Sequence, residues 1–380
     1  MAHINRTGKY ITQPGGYKAF IPEPLPHKPD IKINRGLHKV LSNADRALAR
    51  LDGISYILPN PELFVAMYIR HEAVLSSQIE GTQSSLEDVL KFEADKKKKP
   101  KDDRVEVLNY IDAMNYGLKR LETIPLSLRL IKEIHEKLMS NTRGGHKSPG
   151  EFRTSQNWIG GSDQLNIKQA IFVPPPVYEM DRALSNLEKF FHNTETYPAL
   201  VHCGIAHAQF ETIHPFLDGN GRLGRLLITF LLCQQNILKT PLLYLSHYLK
   251  ANRSEYYDRL MAIRTKGDWE GWLEFFLKGI IDVSHQAAET ARNIMDLQKK
   301  HKELIISKMG SRNQGLILHE YMFNHPFLNS TMVKKHLSCT PKSAISLLNQ
   351  FLEVGIVEEI TGGKRNRVFT YSQYLDLFQN

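Results

Sequence analysis

Apolar residues recur at helical spacing through most of this 380-residue chain. Leu37, Val40, Leu41, Ala44, Leu48 and Leu51 fall on one face of a predicted helix that runs to Leu58. Pro59-Asn60-Pro61 breaks that pattern, and a second helix is predicted from about Glu62 to Gln78. The same periodicity predicts helices at roughly 104–122, 126–140, 178–191, 198–212, 221–236, 252–264 and 268–300. Two regions depart from it. Residues 1–36 are rich in Pro and Gly and read as an extended arm lying on the body of the protein. Residues 142–176 hold Gly144-Gly145, Gly160-Gly161 and Pro174-Pro175-Pro176, with the β-prone pieces Asn157-Trp158-Ile159 and Ala170-Ile171-Phe172-Val173. They predict a β-hairpin embedded in a helical protein.

Charged and small residues at 301–312 mark a domain boundary. Beyond it come a helix near 313–324, a short helix capped by Ser330 and ending at Leu337, and a helix from about 341 to 354. Strands Gly355–Ile360 and Arg367–Tyr371 follow, joined by Thr361-Gly362-Gly363-Lys364-Arg365. That order is a winged helix-turn-helix pattern. The fold class expected is mainly α, with an embedded hairpin and this C-terminal unit. No internal repeat is visible at periods of 20–50 residues.

Composition narrows the picture only a little. The apolar fraction of 42% and charged fraction of 23% are ordinary for a globular chain of two or three domains. No run approaches the ~18 apolar residues of a membrane span, so no membrane association is expected. Met1 to Arg6 lacks the apolar core of a signal peptide, and Cys203, Cys233 and Cys339 are too scattered for a disulfide framework. A cytoplasmic location is expected. The 49 Lys+Arg against 40 Asp+Glu give a net charge of +9, which suggests an anionic partner and leaves nucleic acid, nucleotide and membrane surface open. The Asp95–Asp103 charge run reads as a solvated loop. The C-terminal unit is nearly balanced, with Lys334, Lys335, Lys342, Lys364, Arg365 and Arg367 against Glu320, Glu353, Glu358, Glu359 and Asp376. DNA binding is therefore the disfavoured option for it, beside protein docking and a homodimer.

The chemistry concentrates in Ile213-His214-Pro215-Phe216-Leu217-Asp218-Gly219-Asn220-Gly221-Arg222-Leu223-Gly224-Arg225. Pro215 and Gly219-Asn220-Gly221 force a loop between two apolar helices. The loop ends at a helix N-terminus, where free backbone N–H groups and the positive dipole end favour an anion. Arg222 and Arg225 share a face at i, i+3, which suits a di- or triphosphate. Asp218 is a hard oxygen ligand placed to hold Mg²⁺ against those phosphates. His214 is a base suited to neutral pH. Phe216 is expected to anchor the loop in the core. A P-loop, Gly-x4-Gly-Lys-Ser/Thr, is absent.

His-Pro-Phe-Leu-Asp-Gly-Asn-Gly-Arg-Leu-Gly-Arg resembles the Fic family signature at every defining position. The resemblance covers roughly residues 35–300 and implies a Fic-type helical bundle that transfers AMP from ATP, with Mg²⁺, to a protein hydroxyl. It makes His214 the base that deprotonates that hydroxyl and Asp218 the Mg²⁺ ligand. Gly219, Asn220 and Gly221 become the cradle for the α- and β-phosphates, with Arg222 on the β-phosphate and Arg225 on the γ-phosphate. The hairpin at Ala170, Ile171, Phe172 and Val173 resembles the family's flap, on which a target segment docks as an added strand. Gly150-Glu151-Phe152-Arg153 before it is also typical of the group. Ser76-Ser77-Gln78-Ile79-Glu80-Gly81 fits the family's inhibitory pattern, in which Ser76 and Glu80 share a helix face and Glu80 would take the Arg225 guanidinium meant for the γ-phosphate. Tyr248, Asn252, Tyr256 and Gln209 are the nucleoside contacts expected from their position around the signature.

The domains expected are 1–104 for the arm and inhibitory helix, 105–300 for the catalytic core with its flap at 155–176, and 313–380 for the winged helix. Partners expected are a target protein on the flap, with self-modification as an option. The alternatives are a nucleotide-sensing DNA-binding regulator, transfer of another phosphate-containing group, and removal of AMP.

Overall fold

The computed structural model describes residues 6–28, 30–55, 58, 61–94, 102–142, 147–160, 166–310, 312–363 and 367–378. Gly144-Gly145, Gly161, the Lys96–Lys101 run, Pro59-Asn60 and Lys364-Arg365 lie outside them. The chain opens with strands β1 (Lys9–Thr12) and β2 (Lys18–Ile21), paired antiparallel with Tyr10 opposite Phe20. The arm is thus a hairpin over its first half. Its β2 strand docks on the flap, with Phe20 N–H donating to the Val173 carbonyl at 2.9 Å.

Helices α1 (Arg35–Ser55), α2 (Pro61–Ile79), α3 (Leu86–Ala94), α4 (Asp102–Leu121) and α5 (Leu128–Met139) follow. Ser127 caps α5 by accepting from Leu130 N–H, and Leu130, Ile131, Ile134, Leu138 and Met139 form its buried face. Among the described residues the flap is held by one antiparallel bridge, Ile159 to Phe172. Next come α6 (Val177–His192), α7 (Ala199–Ile213) and α8 (Asn220–Gln234). Leu200 to Ile213 of α7 is buried on all sides, as is most of α8, so this pair forms the centre of the bundle. The periphery is α9 (Ser246–Ala251), α10 (Arg253–Lys266) and α11 (Trp269–Lys308).

Helix α11 starts at Asp268, which caps Gly271 N–H, and runs 40 residues. It lies along α1 and ends at Lys308, within the segment 301–312 where the boundary is expected. Its last turns belong to the C-terminal unit, where His301 contacts the Tyr371 hydroxyl at 2.8 Å. That unit holds α12 (Arg312–Met322), β3 (Phe327–Asn329), α13 (Ser330–Leu337), α14 (Pro341–Glu353), β4 (Glu358–Glu359), β5 (Val368–Thr370) and α15 (Ser372–Leu375). Its sheet order is β3-β5-β4, antiparallel throughout. Helix α3 and strand β3 were absent from the periodicity because each is short and half-buried. Among the described residues no helix is long and apolar enough to cross a membrane.

Candidate active site

The loop 214–219 joins the C-terminus of α7 to the N-terminus of α8. His214 closes α7 in the left-handed region with φ 48°, its N–H still bonded to the Phe210 carbonyl. Gly219 opens α8 at φ 79°, and a β-carbon there would lie 2.7 Å from Met139 Sδ, so both backbone and space demand glycine. Asn220 closes the loop on itself. Its Oδ1 accepts from Phe216 N–H at 2.9 Å and its Nδ2 donates to the Phe216 carbonyl at 2.8 Å. Its side chain is thereby committed to the loop, which leaves backbone groups to any ligand.

A second shell of side chains holds the loop from outside. Arg153 Nε and Asn157 Nδ2 both donate to the His214 carbonyl at 3.0 Å, and Arg153 N–H donates to the Pro215 carbonyl at 2.9 Å. His135, buried in α5, lies flat on Phe216 with ring centroids 3.7 Å apart. Its Nε2 sits 3.0 Å from the Asp218 carbonyl and its Nδ1 accepts from Gly150 N–H at 2.9 Å, which assigns the proton to Nε2. Burial lowers its pKa to about 4, keeping it in that neutral form.

Desolvation and then the Arg264 guanidinium lower His214 to about 4, so its imidazole is a neutral acceptor at pH 7. Arg264 caps the end of α7, donating from NH2 to the Glu211 carbonyl at 3.1 Å, and stacks 3.9 Å from the centre of the Phe172 ring. Glu211, one turn before His214, is buried and raised to about 7, desolvation outweighing Arg225. Asp218 faces outward, with Oδ1 accepting from Gly219 N–H at 2.7 Å and Oδ2 3.2 Å from Lys147 Nζ. Burial pushes its pKa up, but Lys147 and Arg222 outweigh burial and the net shift is downward.

The two arginines are buried and engaged. Arg222 pairs with Glu106 of α4 at 2.9 Å. Arg225 donates from Nε to Ser76 Oγ, and from NH2 to the Ser76 carbonyl and to Glu80 Oε1, each at 2.8 Å. Glu80 lies directly over the first turn of α8, where a β-carbon on Gly221 would come within 2.2 Å of Oε1. Gly81 follows at φ 105°, which ends α2 there. Burial works against the charge on Arg225, and Glu80 raises its pKa nonetheless.

The residues expected around the nucleoside make the following contacts. Gln209 lies on the opposite face of α7 and donates to the Glu23 carbonyl at 3.0 Å, fixing the arm. The Tyr256 hydroxyl is buried on His207 Nε2 at 3.0 Å, within a tie from α7 to α10. Asn252 Nδ2 caps the Tyr248 carbonyl at 3.0 Å, and the Tyr248 ring packs on Phe275 of α11. Each of the four thus makes a contact within the protein. In the flap Phe172 and Val173 are buried, and Ile171 is the side chain that faces solvent, 67% exposed. Sequence reasoning missed His135, Asn157, Glu106 and Arg264, which reach the site from distant elements, and Glu211, which reads as one more position of a buried helix. Arg153 alone carried a signal, in Gly150-Glu151-Phe152-Arg153.

A central helix pair whose connecting loop carries base, carboxylate, glycine nest and paired arginines defines a Fic-type domain. Two family models match the chain, the Fic/DOC family N-terminal region over residues 38–119 and the Fic/DOC family over residues 125–232. Together they cover half of it, and the chain belongs to that family. It is 28% identical over 180 residues to the protein adenylyltransferase Fic of Drosophila erecta, which is 46% of this chain and 32% of that protein. It is 28% identical over 208 residues to the probable protein adenylyltransferase aq_aa38 of Aquifex aeolicus (strain VF5), which is 53% of this chain and 58% of that protein. The chain thus spans less than two thirds of these relatives. In fold it is similar to a Fic family protein from Desulfovibrio desulfuricans G20, with a TM-score of 0.58 at 21% identity, covering 90% of this chain and 97% of that one. A Fic domain containing signaling protein from Bacteroides thetaiotaomicron VPI-5482 gives a TM-score of 0.52 at 16% identity, covering 66% of this chain and 97% of that one.

Proposed function

We propose that this chain transfers AMP from ATP to a Ser, Thr or Tyr hydroxyl of a target protein or of itself, releasing pyrophosphate. The observation that carries the reading is the Glu80–Arg225 pair over Gly221, which puts an acidic side chain where an N-terminal anion nest and a buried guanidinium would hold a phosphate. In the reaction the hydroxyl oxygen attacks the α-phosphorus, its proton passes to the neutral His214 imidazole, and the bond to pyrophosphate breaks. The free N–H groups of the first turn of α8, with Arg222 and Arg225, orient and neutralise the phosphates. His135, Arg153 and Asn157 hold His214 and Asp218 in place from behind.

The residues present fit Mg²⁺. Among the described residues no cluster of three or more metal-binding side chains exists, and Mg²⁺ does not need one, since it takes one or two carboxylates and completes its shell with water and phosphate. Asp218, with Oδ2 turned outward, would hold it. When bound it would supply charge neutralisation on the leaving pyrophosphate.

Glu80 holds the chain inhibited, because Arg225 is withdrawn from a third phosphate while Glu80 remains on it. The target docks on the exposed Ile171 side of the flap. The three cysteines are free thiols, in keeping with a cytoplasmic setting. The experiment is incubation of the parent, Glu80→Gly and His214→Ala with ATP labelled in the α-phosphate and Mg²⁺. Glu80→Gly labels itself or an added extract at least tenfold above the parent, and His214→Ala does not label. Absence of AMP-protein from Glu80→Gly overturns the reading. Loss of AMP from a pre-labelled protein, or transfer of the terminal phosphates instead, would move it to AMP removal or to another group transfer.

A further inference from the structure

Lys147 pairs through Nζ with the same Asp218 carboxylate that would hold a divalent cation. Its Nζ lies 3.2 Å from Oδ2, the outward oxygen, while Oδ1 is held by Gly219 N–H at 2.7 Å with Arg222 NH2 further off at 3.8 Å. The pair is not an incidental surface contact. Three residues after Lys147, Gly150 N–H donates to His135 Nδ1, and the other nitrogen of that ring holds the Asp218 carbonyl. One buried imidazole thus brackets both the backbone that carries Lys147 and the backbone that carries Asp218. Ser148 at φ 53° and Gly150 at φ 79° turn the chain sharply between them. The lysine side chain itself is 41% exposed, and among the described residues its ammonium pairs with Asp218.

We propose that Lys147 is a built-in counter-cation for Asp218, displaced when the nucleotide arrives with its divalent cation. This rests on the nucleotide and Mg²⁺ assignments above. An ammonium and a divalent cation on the same carboxylate oxygen repel each other, so Lys147 competes with the cation. Without a cation, Lys147 screens Asp218 and lets phosphate approach a carboxylate that would otherwise repel it. The consequence is a sign. Removing the lysine weakens cation-free nucleotide binding and leaves cation-loaded binding equal or tighter, so the nucleotide's dependence on Mg²⁺ increases. A lysine that served as a phosphate ligand would instead weaken both arms together. One that merely decorated the surface would move neither.

The test is calorimetric binding of a non-hydrolysable ATP analogue to Glu80→Gly, in EDTA and in saturating Mg²⁺, compared with the same protein carrying Lys147→Met or Lys147→Arg. An exposed ion pair is worth up to about 1 kcal/mol, or about fivefold. The ratio of the two dissociation constants should rise about two- to fivefold in Lys147→Met and stay at the parental value in Lys147→Arg. An unchanged or reduced ratio in Lys147→Met, with its melting temperature unaltered, overturns the proposal. If Mg²⁺ does not tighten binding in Glu80→Gly itself, or tightens it equally in Asp218→Asn, the cation assignment fails and this inference with it. If the analogue does not bind in either arm, the nucleotide reading fails.

Discussion

His135 does for the loop what no residue of the signature can do for itself. Flat on Phe216 and hydrogen-bonded at both ring nitrogens, it ties α5, the Gly150 turn and the Asp218 carbonyl into one unit. His135→Ala should cost on the order of 2–4 kcal/mol through the lost ring and two unmet partners. It should lower AMP transfer in a Glu80→Gly background by tenfold or more, while Lys147 and His214 are untouched. A normal melting temperature with normal labelling would show the bracket to be dispensable. Its protonation gives a pH signature. The folded pKa of about 4 lies below the ordinary 6.5, so the neutral form is the one the fold keeps. This contribution is complete above pH 6.5 and is lost as pH falls from there toward 4, and the variant should show a shallower acid limb in its melting temperature over that window. His214 has the same sign. With its pKa near 4, the base limb of kcat/KM should be flat from pH 8 to 6 and fall only near 4–5, and a midpoint near 6.5 would contradict the desolvated site. Base, carboxylate and arginines were legible in the sequence because they fall within twelve residues of one loop. The bracket was not, because His135 lies some eighty residues away and reads as one more residue on an amphipathic face. For Gln209 and Tyr256, nearness in sequence to the signature does not say which contacts they make: Gln209 bonds the arm and Tyr256 bonds His207.

At the scale of elements, the inhibition proposed for Glu80 would involve α2 as a whole. Arg225 makes two of its three bonds to Ser76, one turn earlier, and Glu72, one turn earlier still, accepts from Ser246 N–H at 3.2 Å and from the Tyr110 hydroxyl at 3.1 Å. Three successive turns of one helix therefore grip α8, α9 and α4. Ser76→Ala removes a single bond to a charged partner, worth about 1.5–3 kcal/mol. It should raise AMP transfer a few-fold, well short of Glu80→Gly, as read by labelled product at fixed ATP. Labelling that matches the parent would mean Ser76 only steadies α2. The helix periods placed α2, α7 and α8 within a few residues because each is long and strongly patterned. The arm and the flap were placed only as to type. Their pairing, Phe20 on Val173 and Phe172, is a contact between segments about 150 residues apart that local propensity does not encode.

Across the whole molecule, α2 is braced from both sides. Its front face meets α8, and its back face meets the end of the C-terminal unit. There the Phe378 ring packs on Tyr68 and His71, with centroids 5.4 and 6.2 Å apart. A cavity of about 400 Å³ opens beside that contact, lined by Leu75, Gln78, Leu86, Lys250, Leu375 and Phe378 among others. The C-terminal unit thus meets α2 at Tyr68 and His71, more than two turns before Glu80, and shares with the last turns of α2 the lining of that cavity. If α2 keeps Glu80 on Arg225 partly because its back is supported, loosening the support should act only through Glu80. Phe378→Ala, a buried aromatic truncation costing on the order of 3 kcal/mol locally, supplies that loosening. AMP transfer should rise several-fold in the Glu80 parent and stay unchanged in Glu80→Gly, where the contact it relieves is already gone. A non-additive pair of this kind measures coupling between the two faces of α2. Equal stimulation in both backgrounds would place the effect elsewhere, and no stimulation in the parent would leave the C-terminal unit a passive neighbour of the inhibitory helix.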